Sequence, residues 1–321
     1  MTNMYYNAFV MTLLQKHNSR NSLLELYRFI FAVWVMYHHG FFFWPKSTHF
    51  FNGYIAVEFF FMLIGFFMIR AFQKEENNSF WKGLWNITWK KLKPLGITLV
   101  ICLIFAKIYF WYFYPDGGGY VGYLWYIEWL IIIPMFFYLL YRLIKNKKIF
   151  YSILALAIVA CHVLQYTVCP GWGILRAVVG LGIGVLISLI PKNNLKIKNF
   201  NLNIVFSLFF IVSTVIIAFF GYYINNVDQL FILVLFPGLI YFANCVDIRF
   251  KPFAILGDLS FGIYVYQTIP RFFERLGFWK NNAYMCLIVF ALAIADYLVR
   301  VIIDYCKQKR IDSGRAEIEN T

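Results

Sequence analysis

Residues Leu23–Phe43 read LLELYRFIFAVWVMYHHGFFF, and this run decides the fold. It is apolar and long enough to cross a bilayer core, for which about 20 residues suffice. It nevertheless keeps an arginine, Arg28, near its start and two histidines, His38 and His39, near its end. Polar side chains in hydrocarbon cost several kcal/mol, so a membrane helix that keeps them uses them. Arg28 and His39 are eleven residues apart. At about 100° per residue they fall within about 20° of each other, on one stripe of the helix. They lie about 16 Å apart along its axis. His38 points about 80° away from Arg28 by the same arithmetic, so His39 is the better partner on that face.

The rest of the chain continues the pattern. Of 321 residues, 62% are hydrophobic and only 14% charged, with a mean hydropathy of +0.67. A soluble domain cannot hide that much apolar surface. The expected fold is all-α: a polytopic membrane protein of about ten transmembrane helices, with no soluble domain and residues 1–321 forming one integral-membrane unit. The expected spans are 23–43, 53–72, 94–114, 120–141, 149–168, 172–190, 202–223, 230–245, 253–270 and 283–303. Residues 1–22 and 304–321 are expected as cytoplasmic ends. No cleavable signal is expected, because a polar stretch precedes the first apolar run. No internal repeat is evident.

The formal charge of +14 suggests nucleic acid until the lysines and arginines are placed. The loops after even-numbered spans carry five, four, three and two, and the stretch after the last span four more. The loops after odd-numbered spans carry one, none, none, none and three. This bias puts the even loops and both ends in the cytoplasm, so the excess charge is an orientation signal. Nucleic acid is not expected as a partner. Six cysteines are scattered without CxxC spacing, so neither a disulfide framework nor a zinc site follows. No metal is expected.

Charged and polar residues inside the apolar runs are the candidates for chemistry. Glu58 lies within GYIAVEFFFMLIGFFMIR, residues 53–70. A buried carboxylate must be neutral or paired. Glu58 reads either as half of an ion pair holding two helices or as a polar member of an active site. Gly65, on the same stripe, suits close helix packing. Lys90, Lys91 and Lys93 at the mouth of the third span read as a topology anchor or as a phosphate clamp for an anionic donor. Lys107, Glu128, Arg176 and Asp296 are each best explained as structural pairs, with Arg176 set against Glu58 or Glu128. Trp125 suits an interfacial aromatic. His162 and Gln165 suit a hydrogen bond between helices. Ser260, Tyr264 and Gln267 fall at i, i+4 and i+7, a polar stripe that faces protein or a cavity rather than lipid.

Together these pieces resemble the acyltransferase family 3 of membrane O-acyltransferases. Its first-span motif, a basic residue and a histidine separated by ten residues, matches Arg28 and His39. Its second-span motif resembles Gly53 through Val57-Glu58-Phe59-Phe60 and Gly65-Phe66. Its late motif resembles Leu256 to Tyr264. The chain departs from the pattern at Ile64, where the family usually has serine, and at Gln267, where it has histidine. Lysines also stand in the cytoplasmic loop after the second span, where the family prefers an arginine pair.

The resemblance implies acyl transfer from cytoplasmic acyl-CoA, most simply acetyl-CoA, to a sugar hydroxyl of an extracytoplasmic or lipid-linked polysaccharide. The setting it implies is a bacterial plasma membrane. His39 would be the general base, with Glu58 orienting it. Arg28, Lys90, Lys91 and Lys93 would hold the donor. Trp125, Arg176, Ser260, Tyr264 and Gln267 would line the cavity. No cofactor is expected to remain bound; acyl-CoA, the acceptor glycan and the bilayer are the expected partners. The competing class is a transporter or flippase for a surface glycan intermediate, against which stands the absence of an inverted repeat or paired broken helices.

Overall fold

The computed structural model describes residues 20–39, 53–92, 96–113, 125–169, 171–193, 195–197, 200–220, 227–278 and 282–319. Helix α1 spans Ser22–His38. A 3₁₀ turn, Gly53–Ile55, leads into α2, Ala56–Lys74. Then follow α3 (Phe80–Leu92), α4 (Gly96–Phe113), α5 (Trp125–Leu143), α6 (Lys147–Thr167) and α7 (Gly173–Leu189). A two-residue hairpin pairs Lys196 with Asn201 and Ile197 with Phe200. Helices α8 (Leu202–Phe220), α9 (Val227–Leu230), α10 (Phe236–Cys245), α11 (Lys251–Tyr266), α12 (Thr268–Arg275) and α13 (Asn282–Glu319) complete the order.

The chain is an all-α membrane protein. Among the described residues, five helices are long and apolar enough to cross a membrane: Gly53–Lys74, Trp125–Leu143, Lys147–Thr167, Val227–Cys245 and Ala283–Lys307. Gly173–Leu189 and Leu202–Ala218 are shorter apolar helices. Large apolar side chains such as Leu156, Val159 and Phe209 lie exposed on them, as lipid-facing surfaces require.

The helix pattern differs from the sequence expectation in three places. The stretch 73–93, read as a charged loop, contains α3. The ninth span breaks at Gln267 into α11 and α12. Pro270 explains the break, because it has no N–H to offer the carbonyl of Tyr266. The last helix continues far past Ile303, through the stretch read as a polar tail. Proline also marks the eighth span, where Pro237 withholds an N–H and the ladder widens into a π turn at Phe231–Leu235.

Aromatic packing and glycine contacts hold the interior. Phe31 of α1 meets Phe59 of α2 at 4.2 Å between ring centroids and Phe236 of α10 at 5.2 Å. All three rings are fully buried. Helices α2 and α7 run side by side in the same direction at backbone contact. A Cβ added at Gly65 would sit 2.0 Å from the Leu181 carbonyl oxygen, and one at Gly184 would sit 2.0 Å from that of Met62. This bears out the packing role read for Gly65.

Gly65→Ala and Gly184→Ala should therefore each cost about 1–3 kcal/mol of stability through overpacking. Gly96→Ala, with nothing within 4 Å of an added Cβ, should leave melting unchanged. Thermal unfolding of the purified variants checks this, and equal melting of Gly65→Ala and Gly96→Ala would refute the contact.

Candidate functional site

The start of α1 is fixed by its cap. The Asn21 side chain accepts from the amides of Leu23 and Leu24 at 3.1 and 3.3 Å. Its own amide nitrogen donates to the carbonyls of Ala243 and Val246 at 2.8 and 2.7 Å. The Phe250 amide donates to the Ser22 hydroxyl at 2.7 Å. Helix α1 therefore enters locked to the end of α10 and the start of α11. One turn further on, Gly257 of α11 approaches Glu25 closely; an added Cβ would stand 3.0 Å from its Cα.

This arrangement opens a cavity of about 630 Å³ beside α1. Its polar end gathers Arg20, Asn21, Glu25, Arg28, Arg70, Lys192, Asn244 and Asp247. Its apolar end is walled by Phe60, Leu63, Ile64 and Phe67 of α2, Tyr126 and Leu130 of α5, and Phe261 and Tyr264 of α11. Four cations against two carboxylates leave the lining residues with a formal surplus of positive charge. Arg28 is bound to Glu25 at 2.6 Å, and Arg20 to Asp258. Arg70 and Lys192 have no ion-pair partner among the described residues, and both are exposed. An anion entering this end meets two uncommitted cations and two held in place. At the far end Tyr126 and Tyr264 meet edge to face at 5.3 Å.

Beyond the tyrosines lies a second polar cluster. Arg176 of α7 donates from Nε to Glu58 Oε1 at 2.6 Å, and from a terminal nitrogen to the Tyr54 carbonyl at 2.8 Å. Its guanidinium lies over the rings of Trp125 and Tyr54, at 4.7 and 5.7 Å. The Tyr54 hydroxyl donates to Asp228. The His38 ring packs 5.6 Å from Tyr54. Glu58 is only 2% exposed, and its Oε2 has no hydrogen-bond partner among the described residues.

The structure places the residues read from the sequence as follows. Arg28 and Tyr264 line the cavity, as does Ile64. Glu58, Arg176 and Trp125 form the second cluster. The expected pairing of Arg176 with Glu58 is present. His39 closes α1, its amide donating to the Val35 carbonyl at 3.2 Å and its ring 5.2 Å from that of His38. It is not on the wall of the cavity. Ser260 and Gln267 turn back on their own helix, donating to Gly257 and Ile263 at 2.6 and 3.1 Å. Of the five residues expected to line the cavity, this one has only Tyr264 on its wall. Lys90 and Lys91 lie on α3, with side chains outside the described residues, and Lys93 lies outside them altogether.

Asp296 is paired as expected, with Arg300 at 2.9 Å, and accepts from Thr98. The bridging hydrogen bond read for His162 and Gln165 is not made among the described residues: His162 Nδ1 and Gln165 Oε1 are both unpartnered. Arg20, Arg70, Lys192 and Glu25 carry the cavity's charge and were not singled out in the sequence. Each sits at a helix end, where a charge reads as ordinary topology signal.

Residues 21–300 match the family model described as an acyltransferase domain, Acyl_transf_3. The chain belongs to acyltransferase family 3. No curated protein and no solved structure matches it. The matched range begins at the Asn21 cap and ends within α13, so the second cluster and all of the cavity's lining except Arg20 fall inside it.

The Glu58–Arg176 pair carries a clear stability prediction. Arg176→Met should cost about 3–5 kcal/mol, because it leaves a buried carboxylate without its cation. Adding Glu58→Gln should recover much of that loss. Thermal melting of wild type, both single variants and the double variant checks the coupling; additive losses would refute it.

Proposed function

We propose that this acyltransferase moves an acyl group, most simply acetyl, from cytoplasmic acyl-CoA to a sugar hydroxyl of an extracytoplasmic or lipid-linked polysaccharide. The observation that carries this reading is the cavity beside α1, with cations at one end and apolar walls at the other, in a member of an acyltransferase family. The donor has the complementary shape: a polyanionic nucleotide followed by a thin arm ending in a thioester. The plasma membrane, the ten-span topology with cytoplasmic ends and the direction of transfer belong to the same proposal, supported by the lysine and arginine bias of the loops.

On this reading Arg28, Arg70 and Lys192 hold the donor's phosphates by charge-assisted hydrogen bonds. Lys90, Lys91 and Lys93 add to the positive potential that draws the donor toward the mouth. The arm extends along Phe60, Leu63, Ile64 and Phe67 toward Tyr126 and Tyr264. Those rings part to let the thioester pass along α1 toward His39, about 16 Å from Arg28. His39 takes the proton of the acceptor hydroxyl. The oxygen attacks the thioester carbonyl, the new carbon–oxygen bond forms, and the carbon–sulfur bond breaks. The departing thiolate receives the proton from His39. Glu58 acts through Arg176: the pair fixes the turn carrying Tyr54, against which His38 packs. Trp125 helps hold Arg176 in place, and Ser260 and Gln267 shape the helix that presents Tyr264.

Membranes containing the protein should transfer label from acetyl-CoA to polysaccharide. His39→Ala should abolish transfer while the protein still accumulates in the membrane. Arg70→Ala and Lys192→Ala should each raise the donor KM about tenfold, the equivalent of one lost charged hydrogen bond, with kcat little changed. Transfer that survives His39→Ala would reject the base, and unchanged donor KM in both cation variants would reject the clamp.

A further inference from the structure

Helix α3 has two faces that demand different surroundings. Trp81, Trp85 and Trp89 recur every four residues, so each is displaced by only about 40° from the last. They are 76%, 62% and 46% exposed. The rings of Trp85 and Trp89 stack at 5.3 Å. Lys82, also exposed, borders the stripe.

The opposite face is fastened to the body of the protein. Phe80 stacks on Tyr138 of α5 at 5.8 Å. Gly83 lies against the same tyrosine, whose hydroxyl would be 2.0 Å from an added Cβ. Ile87 is buried. The Asn86 side chain donates to Glu75 Oε2 at 2.8 Å, and Arg142 donates to the carbonyls of Glu75 and Asn78. The tryptophan stripe is therefore aimed outward by the packing behind it.

We propose that α3 is an in-plane interfacial helix whose tryptophan stripe docks into the headgroup region of the bilayer, on the membrane face where the cavity opens. Three observations select lipid as the occupant. Five residues, 75–79, join α3 to the end of α2, and so short a tether reaches at most about 18 Å. Helix α2 crosses the membrane and carries Arg70 of the cavity one turn before its end, so α3 is confined to that surface. The stripe also pairs indole rings with a flanking lysine. Open water is a poor medium for three exposed indoles, and hydrocarbon is a poor medium for Lys82. The interface accommodates both, with indole N–H groups wetted and the ammonium among lipid phosphates. Finally, α3 is amphipathic rather than wholly apolar, and it is not among the helices apolar enough to span. Because Glu75 and Asn86 tie α3 to α2, this docking sets the depth of the cavity mouth at the headgroup plane.

The test is fluorescence quenching of the full-length protein in vesicles of phosphatidylcholine and phosphatidylglycerol. The chain has ten tryptophans, so the informative signal is the difference between wild type and the combined Trp81→Phe, Trp85→Phe, Trp89→Phe variant. Lipids brominated near the headgroup end of the acyl chain should remove most of that difference signal. Lipids brominated near the methyl end should remove much less, and aqueous iodide little. Loss to iodide with resistance to both bromolipids would overturn the proposal and place the stripe in water. Stronger quenching by the deep bromolipid would overturn it in favour of a buried crossing. Resistance to all three quenchers would overturn it in favour of a protein partner or a second copy. Trp85→Phe alone gives the same comparison should the triple variant accumulate poorly.

Discussion

A charged pair in an apolar bundle constrains everything around it. Glu58 and Arg176 meet at 2.6 Å with both side chains largely removed from solvent. Either charge alone would be intolerable in that setting, and even the pair recovers its desolvation cost only when the geometry is close and other donors are used. The glycines of α2 and α7 supply the closeness. With Gly65 against Leu181 and Gly184 against Met62, the two backbones touch, and the side chains one or two turns away have no choice but to meet. Arg176 also donates from a terminal nitrogen to the Tyr54 carbonyl and lays its guanidinium over two aromatic rings. The turn that opens α2 is thereby held against the end of α1.

The cavity shows the opposite treatment of charge. Its cations come from the start of α1, the end of α2 and the residues after α7, all at one end of the bundle. Two of them are left without ion-pair partners among the described residues, while the half-buried Arg28 and Arg20 are paired with Glu25 and Asp258. Uncommitted cations at a rim and committed ones within are what a site needs if it is to hold an anion without collapsing when empty. The wall beyond them turns apolar within a turn or two, through Leu63 and Ile64 to Phe60. On the proposed reading, the polyanionic part of the donor stays at the rim and its uncharged arm advances.

Much of this was legible from residue types and spacing, for a physical reason. In a bilayer the apolar run is the fold signal, and a charge inside it is rare enough to stand out. That is why Arg28, Glu58 and Arg176 could be picked out, and why the pairing of the last two could be anticipated. Arg70, Lys192 and Glu25 could not, because charges near helix ends are common and only the assembled bundle shows that three of them face one space. The amphipathic helix α3 was missed for a related reason. Its tryptophans and lysines average to a polar composition, and the periodicity that separates them was hidden behind the charge count. Gln267 reads as part of a polar stripe, but the helix breaks at it, and its amide donates back to the carbonyl of Ile263 in the helix it caps.

The position of His39 relative to the cavity follows from these constraints. The glycine contacts and the Arg176 pair fix α2 and α7, and the Asn21 cap and the Gly257 contact fix α1 against α11. Nothing in that frame can slide without separating backbones already at contact distance. The free volume beside Arg28 therefore cannot be extended toward the end of α1 by shifting helices at modest cost. On the proposed reading it is extended by side-chain rotation at its inner limit, where Tyr126 and Tyr264 touch edge to face and where an aromatic contact is worth only about 0.5–1.5 kcal/mol beyond its buried area. On the proposed reading this makes the two rings the movable part of an otherwise rigid passage. In that proposal a gate of two side chains suits a membrane enzyme, because it would admit a thin arm without joining the water on the two faces.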